Sequence, residues 1–313
     1  MRNKEKNFIS VVVYVYNAEN RIEKFLSAIT EQINNNFEYF EIICVNDASG
    51  DRSIEKIKRL SKEKLGINIT LINMSHFQGV ELAMNAGVDI AIGDFVFEFD
   101  NTFLDFKPEV LMEVYHHLLK GYDIVSASAK GKERLTSRLF YKFFEQHSNG
   151  LAQMTTESFR LISRRAINRI KSINKTIPYR KVIYINCGLK TDNIRYDVTD
   201  SVIINQDRKE KRFRLELAVN SLLLFTQIGY RFASTMTVIM MLISIFMILY
   251  SITIYFTLKP IVGWTTTILF LSVAFFGLFG ILTFVIKYLH LLLDLVFKKE
   301  PYNFESVEKI IGE

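Results

Sequence analysis

The first part of the chain alternates short apolar runs with amphipathic segments, a pattern that predicts strands followed by helices. The predicted strands are nearly continuous in apolar residues and cover residues 9–15, 40–45, 67–72, 95–99 and 123–127. The segments between them carry apolar residues at helical spacing and cover residues 19–34, 53–65, 80–91 and 108–120. Because strands that lack polar alternation are typical of sheets covered on both faces, the pattern predicts an α/β domain with a mostly parallel sheet.

Two later segments, residues 232–258 and 261–286, contain no charged residue. Each exceeds the roughly 20 apolar residues that a helix needs to cross a bilayer. Only Lys259 and Pro260 separate them, so we expect a two-helix transmembrane hairpin. Basic residues are concentrated before and after the hairpin, and this asymmetry predicts that both termini are cytoplasmic. Residues 1–7 contain no apolar stretch, so we expect no signal peptide.

These patterns divide the chain into five parts. We expect a cytoplasmic sheet domain at residues 1–205, followed by a basic juxtamembrane segment at residues 206–231 that forms an interfacial amphipathic helix. The two spans cover residues 232–258 and 261–286, and residues 287–313 form a cytoplasmic tail. Residues 134–146 are also amphipathic and fit either a helix at the membrane surface or one packed against the sheet. The net charge of +6 lies largely beside the predicted spans, which favours a membrane over nucleic acid as the partner.

The most informative candidate for chemistry is Asp100, which directly follows the apolar run 95–99. A carboxylate in this position lies at the carboxyl edge of the sheet, where α/β folds bind ligands. A second carboxylate two residues later would help to hold a divalent cation, but that position is Thr102. Glu98 projects to the same face as Asp100 and is either a substitute metal ligand or a buried, paired group.

Five motifs lie at strand ends or loops along the chain. They read VVVYVYNAE, VNDASGD, SHFQGVE, GDFVFEFDNT and ESFRLISRRA, at residues 11–19, 45–51, 75–81, 93–102 and 157–166. Their order is similar to that of the inverting family 2 glycosyltransferases with a GT-A (Rossmann-like) fold. More narrowly, the chain resembles the polyprenyl-phosphate glycosyltransferases that end in two membrane helices. The resemblance covers residues 9 to about 304.

The resemblance implies transfer of a sugar from a UDP- or GDP-sugar donor to a polyprenyl phosphate at the inner membrane. It implies a nucleotide site formed by Tyr16, Asn17, Glu19, Asp47 and Gly79. Asn17 alternatively caps the following helix, and an Asx turn at residues 51–53 explains the second motif without Asp47. A homo-oligomer is left open.

The resemblance also implies a catalytic site with Mg²⁺ or Mn²⁺ at Asp100, and Arg160 as a phosphate-binding residue. The acid expected before Phe159 is replaced by Ser158, and a neutral serine cannot act as a base. A basic patch at Arg208 is interpreted either as a phosphate contact or as a lipid-facing surface. Arg138 and Tyr141 are further candidates for the lipid phosphate.

Replacements relative to the family pattern gather in the inferred cleft. Besides Thr102 and Ser158, they include Tyr14, His76 and Val80. The alternative hypothesis is therefore a catalytically degenerate relative that acts as a partner or regulator in glycan assembly.

Overall fold

The structure is a computed structural model that describes residues 4–130, 157–173, 180–199, 264–297 and 302–312, with scattered positions between 212 and 246. Two compact units are distinguished. One consists of residues 1–145, 150–217 and 300–313, and the other of residues 146–149 and 218–299.

The first unit is built on an eight-stranded sheet. Its strands are β1 (Ile9–Val15), β2 (Phe40–Asn46), β3 (Ile69–Met74), β4 (Phe95–Phe99), β5 (Ile124–Ala129), β6 (Phe159–Ser163), β7 (Thr191–Tyr196) and β8 (Phe304–Ile310). The helices are α1 (Ile22–Asn36), α2 (Ser53–Arg59), α3 (Val80–Ile90), α4 (Val110–Leu118), α5 (Arg164–Ile173) and α6 (Arg180–Asn186). A π-helical segment, Leu60–Leu65, continues α2 and ends at Gly66, whose φ of 57° lies in the left-handed region.

The strand order is β7-β5-β6-β4-β1-β2-β3-β8. The central strands β4, β1, β2 and β3 are parallel, whereas β6 and β8 pair antiparallel with their neighbours. The prediction of a mostly parallel α/β sheet is confirmed. Because the chain moves outward from β1 to β3 and then returns to β4 on the other side of β1, the ends of β1 and β4 form a topological switch point.

Both faces of the sheet are covered, as the apolar strands require. On one face, side chains of α1 and α4 such as Phe25 and Leu111 pack on Val11, Val13 and the other inward residues of β1. On the other face, α3, α5 and α6 cover Val12 and its neighbours. Burial of these aliphatic and aromatic side chains on two faces is the main source of stability for the domain.

The C-terminal strand β8 was not predicted, since residues 287–313 were expected to form a tail. It pairs antiparallel with β3, and Ile310 lies opposite Ile69. Just before β8, the Asn303 backbone N–H donates to Gln78 Oε1 at 3.0 Å, and the Ser75 N–H donates to the Asn303 carbonyl at 3.2 Å. The end of the chain therefore covers the edge of β3 and holds the loop between β3 and α3.

The second unit contains α7 (Trp264–Phe297), which overlaps the second predicted span. Most residues of the first predicted span lie outside the described residues. Among the residues that the structure does describe, none belongs to a helix that is both long and apolar enough to cross a membrane. The predicted hairpin is therefore not supported by the structure.

Candidate active site

A small cleft of about 30 Å³ lies at the switch point between β1 and β4. Tyr16, just after β1, lines it together with Arg21, Asp100 and Thr102. This is the place where the carboxyl ends of parallel strands diverge and where α/β sheets bind ligands. The structure therefore brings Tyr16 and Asp100, which were predicted to bind the nucleotide and the metal, into one cleft.

Asp100 belongs to a group of mostly buried charged side chains, which we call the Asp100 cluster. Its members are Glu81, Glu98, Asp100, Glu157, Arg160, Arg180 and Lys181. Arg160 Nη2 donates to Asp100 Oδ2 and Arg180 Nη2 donates to Asp100 Oδ1, each at 2.5 Å. Both oxygens of Asp100 thus accept a charge-assisted hydrogen bond, which is the stronger kind.

Glu98 is the centre of the cluster and is fully buried. Its Oε2 accepts from Arg160 Nη1 at 3.0 Å and from Arg180 Nη1 at 3.1 Å, while Oε1 accepts from the Tyr184 hydroxyl at 2.8 Å. Arg160 lies directly opposite Glu98 in the β4–β6 pair, so the strand register itself places the two charges together. The alternative in which Glu98 is a buried, paired group is the one that the structure supports.

Arg180 has no exposed surface and begins α6. Its Nε donates to Glu81 Oε2 at 3.1 Å, and its backbone N–H donates to the same oxygen at 3.0 Å. Glu81 on α3 therefore satisfies a free N–H at the start of α6 as well as the guanidinium. This contact fixes the position of Arg180 beneath Asp100.

Burial and these ion pairs determine how the pKa values of Asp100 and Glu98 are shifted. Burial alone would raise the pKa of Asp100, but the guanidinium groups of Arg160 and Arg180 lower it to about 2. Burial raises the pKa of Glu98, although Arg180 and Arg160 oppose that effect. Asp100 is therefore held ionised by its two arginine partners.

These groups do not fit a divalent metal ion. Both oxygens of Asp100 and both of Glu98 are engaged, and the Thr102 hydroxyl accepts from Arg21 Nε at 3.3 Å. An incoming ion would have to displace charge-assisted hydrogen bonds to two buried guanidiniums. No group of three or more His, Cys, Asp or Glu residues in the described part of the chain is arranged to hold a metal ion.

A larger cavity, of about 300 Å³, lies beside the Asp100 cluster over β5 and β7. Three cationic side chains line it, those of Arg160, Lys181 and Arg195. Glu157 also lines it, and it accepts from Arg160 Nε at 3.1 Å and lies 3.8 Å from Lys181 Nζ. Arg160 is thus shared between this cavity and Asp100.

Asp47 is fully buried at the end of β2 and holds the neighbouring loop. Its Oδ1 accepts from the Gln78 N–H at 2.8 Å, and its Oδ2 accepts from the Gly79 N–H at 2.8 Å and from the Tyr14 hydroxyl at 2.9 Å. The replacement Tyr14 is therefore a direct partner of Asp47. Asp47 therefore holds the predicted nucleotide loop in place through hydrogen bonds to its backbone, while its contact with a base stays a prediction.

The other predicted nucleotide residues connect the loops that follow β1 and β2. Asn17 Oδ1 accepts from the Gly50 N–H at 2.9 Å, and Glu19 Oε2 accepts from the Arg52 N–H at 3.1 Å. Asn17 does not cap α1, which begins five residues later at Ile22. The alternative Asx turn is present, since Asp51 Oδ1 accepts from the Ser53 N–H at 3.0 Å.

Gly79 and Tyr16 lie in an aromatic part of the same site. Gly79 has a φ of 86°, and a Cβ there would lie 2.0 Å from the ring of Phe213. Phe77 packs against both Tyr16 and Phe213, with ring centroids 4.7 Å and 5.7 Å away. Only glycine suits position 79, because both its backbone conformation and its close contact exclude a side chain.

Ser158 is not brought into the cleft. Its hydroxyl is hydrogen-bonded to that of Tyr196, which donates to Asp105 Oδ1 at 2.9 Å. The neighbouring Glu157 joins the Asp100 cluster instead, because both residues precede β6 and strict strand alternation does not apply to them. Arg138, Tyr141 and Arg208, the predicted contacts of the lipid phosphate, lie outside the described residues.

Sequence reasoning missed Arg180, Lys181 and Tyr184. They lie outside the motifs, and no local pattern marks them. One signal was available: Glu98 and Asp100 were predicted at the end of a buried strand, and buried carboxylates require cationic partners. That requirement indicates that a cation exists but not where it lies in the sequence.

Three known proteins resemble this chain in sequence or in fold. An uncharacterized glycosyltransferase of Synechocystis sp. is 28% identical over 195 residues, which cover 60% of each chain. A prophage bactoprenol glucosyl transferase homolog of Escherichia coli is 31% identical over 199 residues, which cover 60% of this chain and 62% of the relative. The mannosyltransferase of Pyrobaculum calidifontis, solved with GDP-Man and Mn²⁺, has a similar fold, with a TM-score of 0.51 and 17% identity over 70% of this chain and 63% of that one.

Residues 10–171 match the model of glycosyl transferase family 2. This match spans more than half of the chain, so the protein belongs to glycosyltransferase family 2. Its sheet domain has the mixed α/β GT-A fold that the motifs implied. The chain spans about 60% of the length of the two relatives above.

Proposed function

We propose that this glycosyltransferase moves a sugar from a UDP- or GDP-sugar to a polyprenyl phosphate. The observation that carries the proposal is the cleft at the switch point, where Tyr16 and Asp100 meet in a family 2 domain. A relative named as a bactoprenol glucosyl transferase homolog supports the acceptor. The structure of a similar fold with GDP-Man bound supports a nucleotide-sugar donor.

In this proposal the donor base lies against Tyr16, whose ring offers a stacking surface. The acceptor phosphate approaches from the larger cavity, which the cationic side chains of Arg160, Lys181 and Arg195 line. A phosphate oxygen attacks the anomeric carbon, the bond from that carbon to the donor diphosphate breaks, and the nucleoside diphosphate leaves. In-line displacement inverts the configuration. An anionic phosphate is already a nucleophile, so the reaction does not require Ser158 to act as a base.

The proposal places the protein at the cytoplasmic face of the inner membrane, with both termini in the cytoplasm. The two charge-free segments of the sequence support a membrane location. Large apolar side chains on α7 are exposed, including Phe276 at 76% and Phe279 at 60%, and an apolar environment would cover them. Arg138, Tyr141 and Arg208 stay the predicted contacts of the lipid phosphate.

The test is a transfer assay with the full chain in liposomes that contain either a polyprenyl phosphate or the corresponding uncharged polyprenol. Radiolabelled UDP- and GDP-sugars are supplied from the outside. We expect labelled lipid from at least one donor with the phosphate, and none with the polyprenol. No labelled lipid from any donor would contradict the proposal and favour a degenerate relative that acts as a partner in glycan assembly.

A further inference from the structure

We propose that the C-terminal strand β8 and the segment just before it position the two loops that receive the donor nucleotide, with Gln78 and Asn73 as the positioning residues. These donor loops are residues 46–51 and 75–79, which carry the predicted nucleotide residues Asp47 and Gly79. The inference rests on the proposed function and deepens it. It does not depend on the identity of the sugar or of the acceptor.

Gln78 connects the segment before β8 to the loop between β3 and α3. Its Oε1 accepts from the Asn303 backbone N–H at 3.0 Å, and its Nε2 donates to the Asn303 carbonyl. The Ser75 N–H, at the other end of the same loop, donates to that carbonyl at 3.2 Å. The Gln78 backbone N–H donates to Asp47 Oδ1 at 2.8 Å. The loop that leads to Gly79 is therefore held between the C-terminal segment and the end of β2.

A row of polar side chains joins β8 to the loop that follows β2. Asn73 lies opposite Asn46 in the β2–β3 pair and opposite Ser306 in the β3–β8 pair. Its Nδ2 donates to Ser306 Oγ at 3.0 Å and to Glu308 Oε1 at 3.2 Å, and its Oδ1 accepts from Asn46 Nδ2 at 3.0 Å. Asn46 Oδ1 in turn accepts from the Ser49 N–H at 3.1 Å. The C-terminal strand thus reaches the other donor loop through two side-chain amides.

The loop after β2 needs this support because of its backbone conformation. Ala48 has a φ of 54°, a left-handed conformation that is unfavourable for a residue with a Cβ and persists only where neighbouring contacts hold it. The Asn46 side chain accepts from the Ser49 N–H, and Ser49 Oγ accepts from the Asn17 N–H at 3.1 Å. When Asn46 loses its partner Asn73, the nucleotide has to order the loop as it binds, and that cost weakens its affinity.

Strand β8 adds little apolar burial to the sheet. Among its seven residues, all of which the structure describes, Ile310 alone is buried. An element with few buried apolar contacts opens at a lower free energy than the whole domain does. The pairing of β8 can therefore be lost while the rest of the sheet stays folded, and both donor loops then lose their contacts with the C-terminal segment. Donor affinity is thereby linked to the pairing of β8.

Calorimetric titration of the full chain in detergent with UDP and with GDP tests the inference. Each titration is run with EDTA and with Mn²⁺, and the variants are compared in the buffer in which the wild type binds. Gln78→Leu removes both side-chain contacts with Asn303, and Asn73→Leu removes the contacts with Asn46 and β8. We expect each variant to weaken binding by about 10-fold, the effect of losing one or two hydrogen bonds that hold a loop.

Lys58→Met is the matched control. It removes a partly exposed ion pair with Glu308 of β8 but leaves both connections to the donor loops in place, so it should bind the nucleotide as the wild type does. Equal affinity in the wild type, Gln78→Leu and Asn73→Leu would overturn the inference and leave the proposed function standing. No binding of UDP or GDP to the wild type in either buffer would contradict the proposed function and this inference with it.

Amide hydrogen exchange separates positioning from direct contact with the nucleotide. In free Gln78→Leu, the peptide that covers residues 75–79 should exchange faster than in the free wild type, because the loop has lost its contact with Asn303. Bound nucleotide should restore the protection. If Gln78→Leu binds more weakly but exchanges at the wild-type rate when free, Gln78 acts on the nucleotide directly, and the inference is overturned.

Discussion

Replacing Arg180 by methionine should destabilise the protein more than any change to an exposed ion pair. The substitution keeps most of the side-chain volume but removes the charge that Glu81, Glu98 and Asp100 share. Removing one partner of a buried pair typically costs about 3–5 kcal/mol, because the other charge stays buried without compensation. We therefore expect the free energy of unfolding of Arg180→Met to fall by about that amount, measured by urea unfolding of the full chain in detergent.

The loss should depend on pH. Burial already raises the pKa of Glu98, and without Arg180 that pKa should rise further. A carboxyl group whose pKa is raised by folding stabilises the protein when it is protonated, and it loses that contribution as the pH rises through the folded-state pKa. The stability deficit of Arg180→Met should consequently be smaller at about pH 5 than at about pH 8.

Lys130→Met is the matched control, because Lys130 pairs with Asp197 at 3.0 Å and both side chains are exposed, at 53% and 85%. Its effect should be small and nearly independent of pH between these two conditions, since solvent screens the pair. If Arg180→Met is no less stable than Lys130→Met, or if its deficit grows as the pH falls from about 8 to about 5, the description of the buried charges is wrong.

Three other predictions concern the loops and the core. Gly79→Ala should lower the free energy of unfolding by about 1–3 kcal/mol, because position 79 has a positive φ and contacts Phe213, whereas Gly50→Ala, with open space around it, should not. Asp47→Asn should lower the free energy of unfolding by about 1–3 kcal/mol, because an amide cannot accept all of the hydrogen bonds that the buried carboxylate accepts. Urea unfolding measures both of these losses. Burial raises the pKa of the Cys44 thiol to about 12, so maleimide at about pH 8 should label it only after unfolding, as mass spectrometry would show.

The sheet could be predicted where strand and helix lie next to each other in the sequence. Strand β4 was predicted with the bounds that the structure shows, because a short and nearly continuous apolar run is typical of a strand inside a covered sheet. Strand β8 could not be predicted in the same way. Its sequence, FESVEKI, contains no apolar run, and its partner β3 is more than 200 residues earlier in the chain. Pairing over that distance leaves no local signal.

The candidate site was predictable in position but not in composition. Asp100, Arg160 and Tyr16 follow from motifs at strand ends, and the fold brings them together. Arg180 lies on a short helix outside the motifs, and only the three-dimensional packing places it against Glu98 and Asp100. The sequence therefore led to the expectation of a metal beside Asp100, whereas the structure has guanidinium groups there.

The most direct test of the central claim is an experimental structure of the full chain with UDP or GDP bound, determined in the presence of EDTA. We predict that the base lies beside Tyr16, in the cleft where Asp100 pairs with Arg160 and Arg180. A nucleotide bound elsewhere in the molecule would contradict the assignment of the donor cleft.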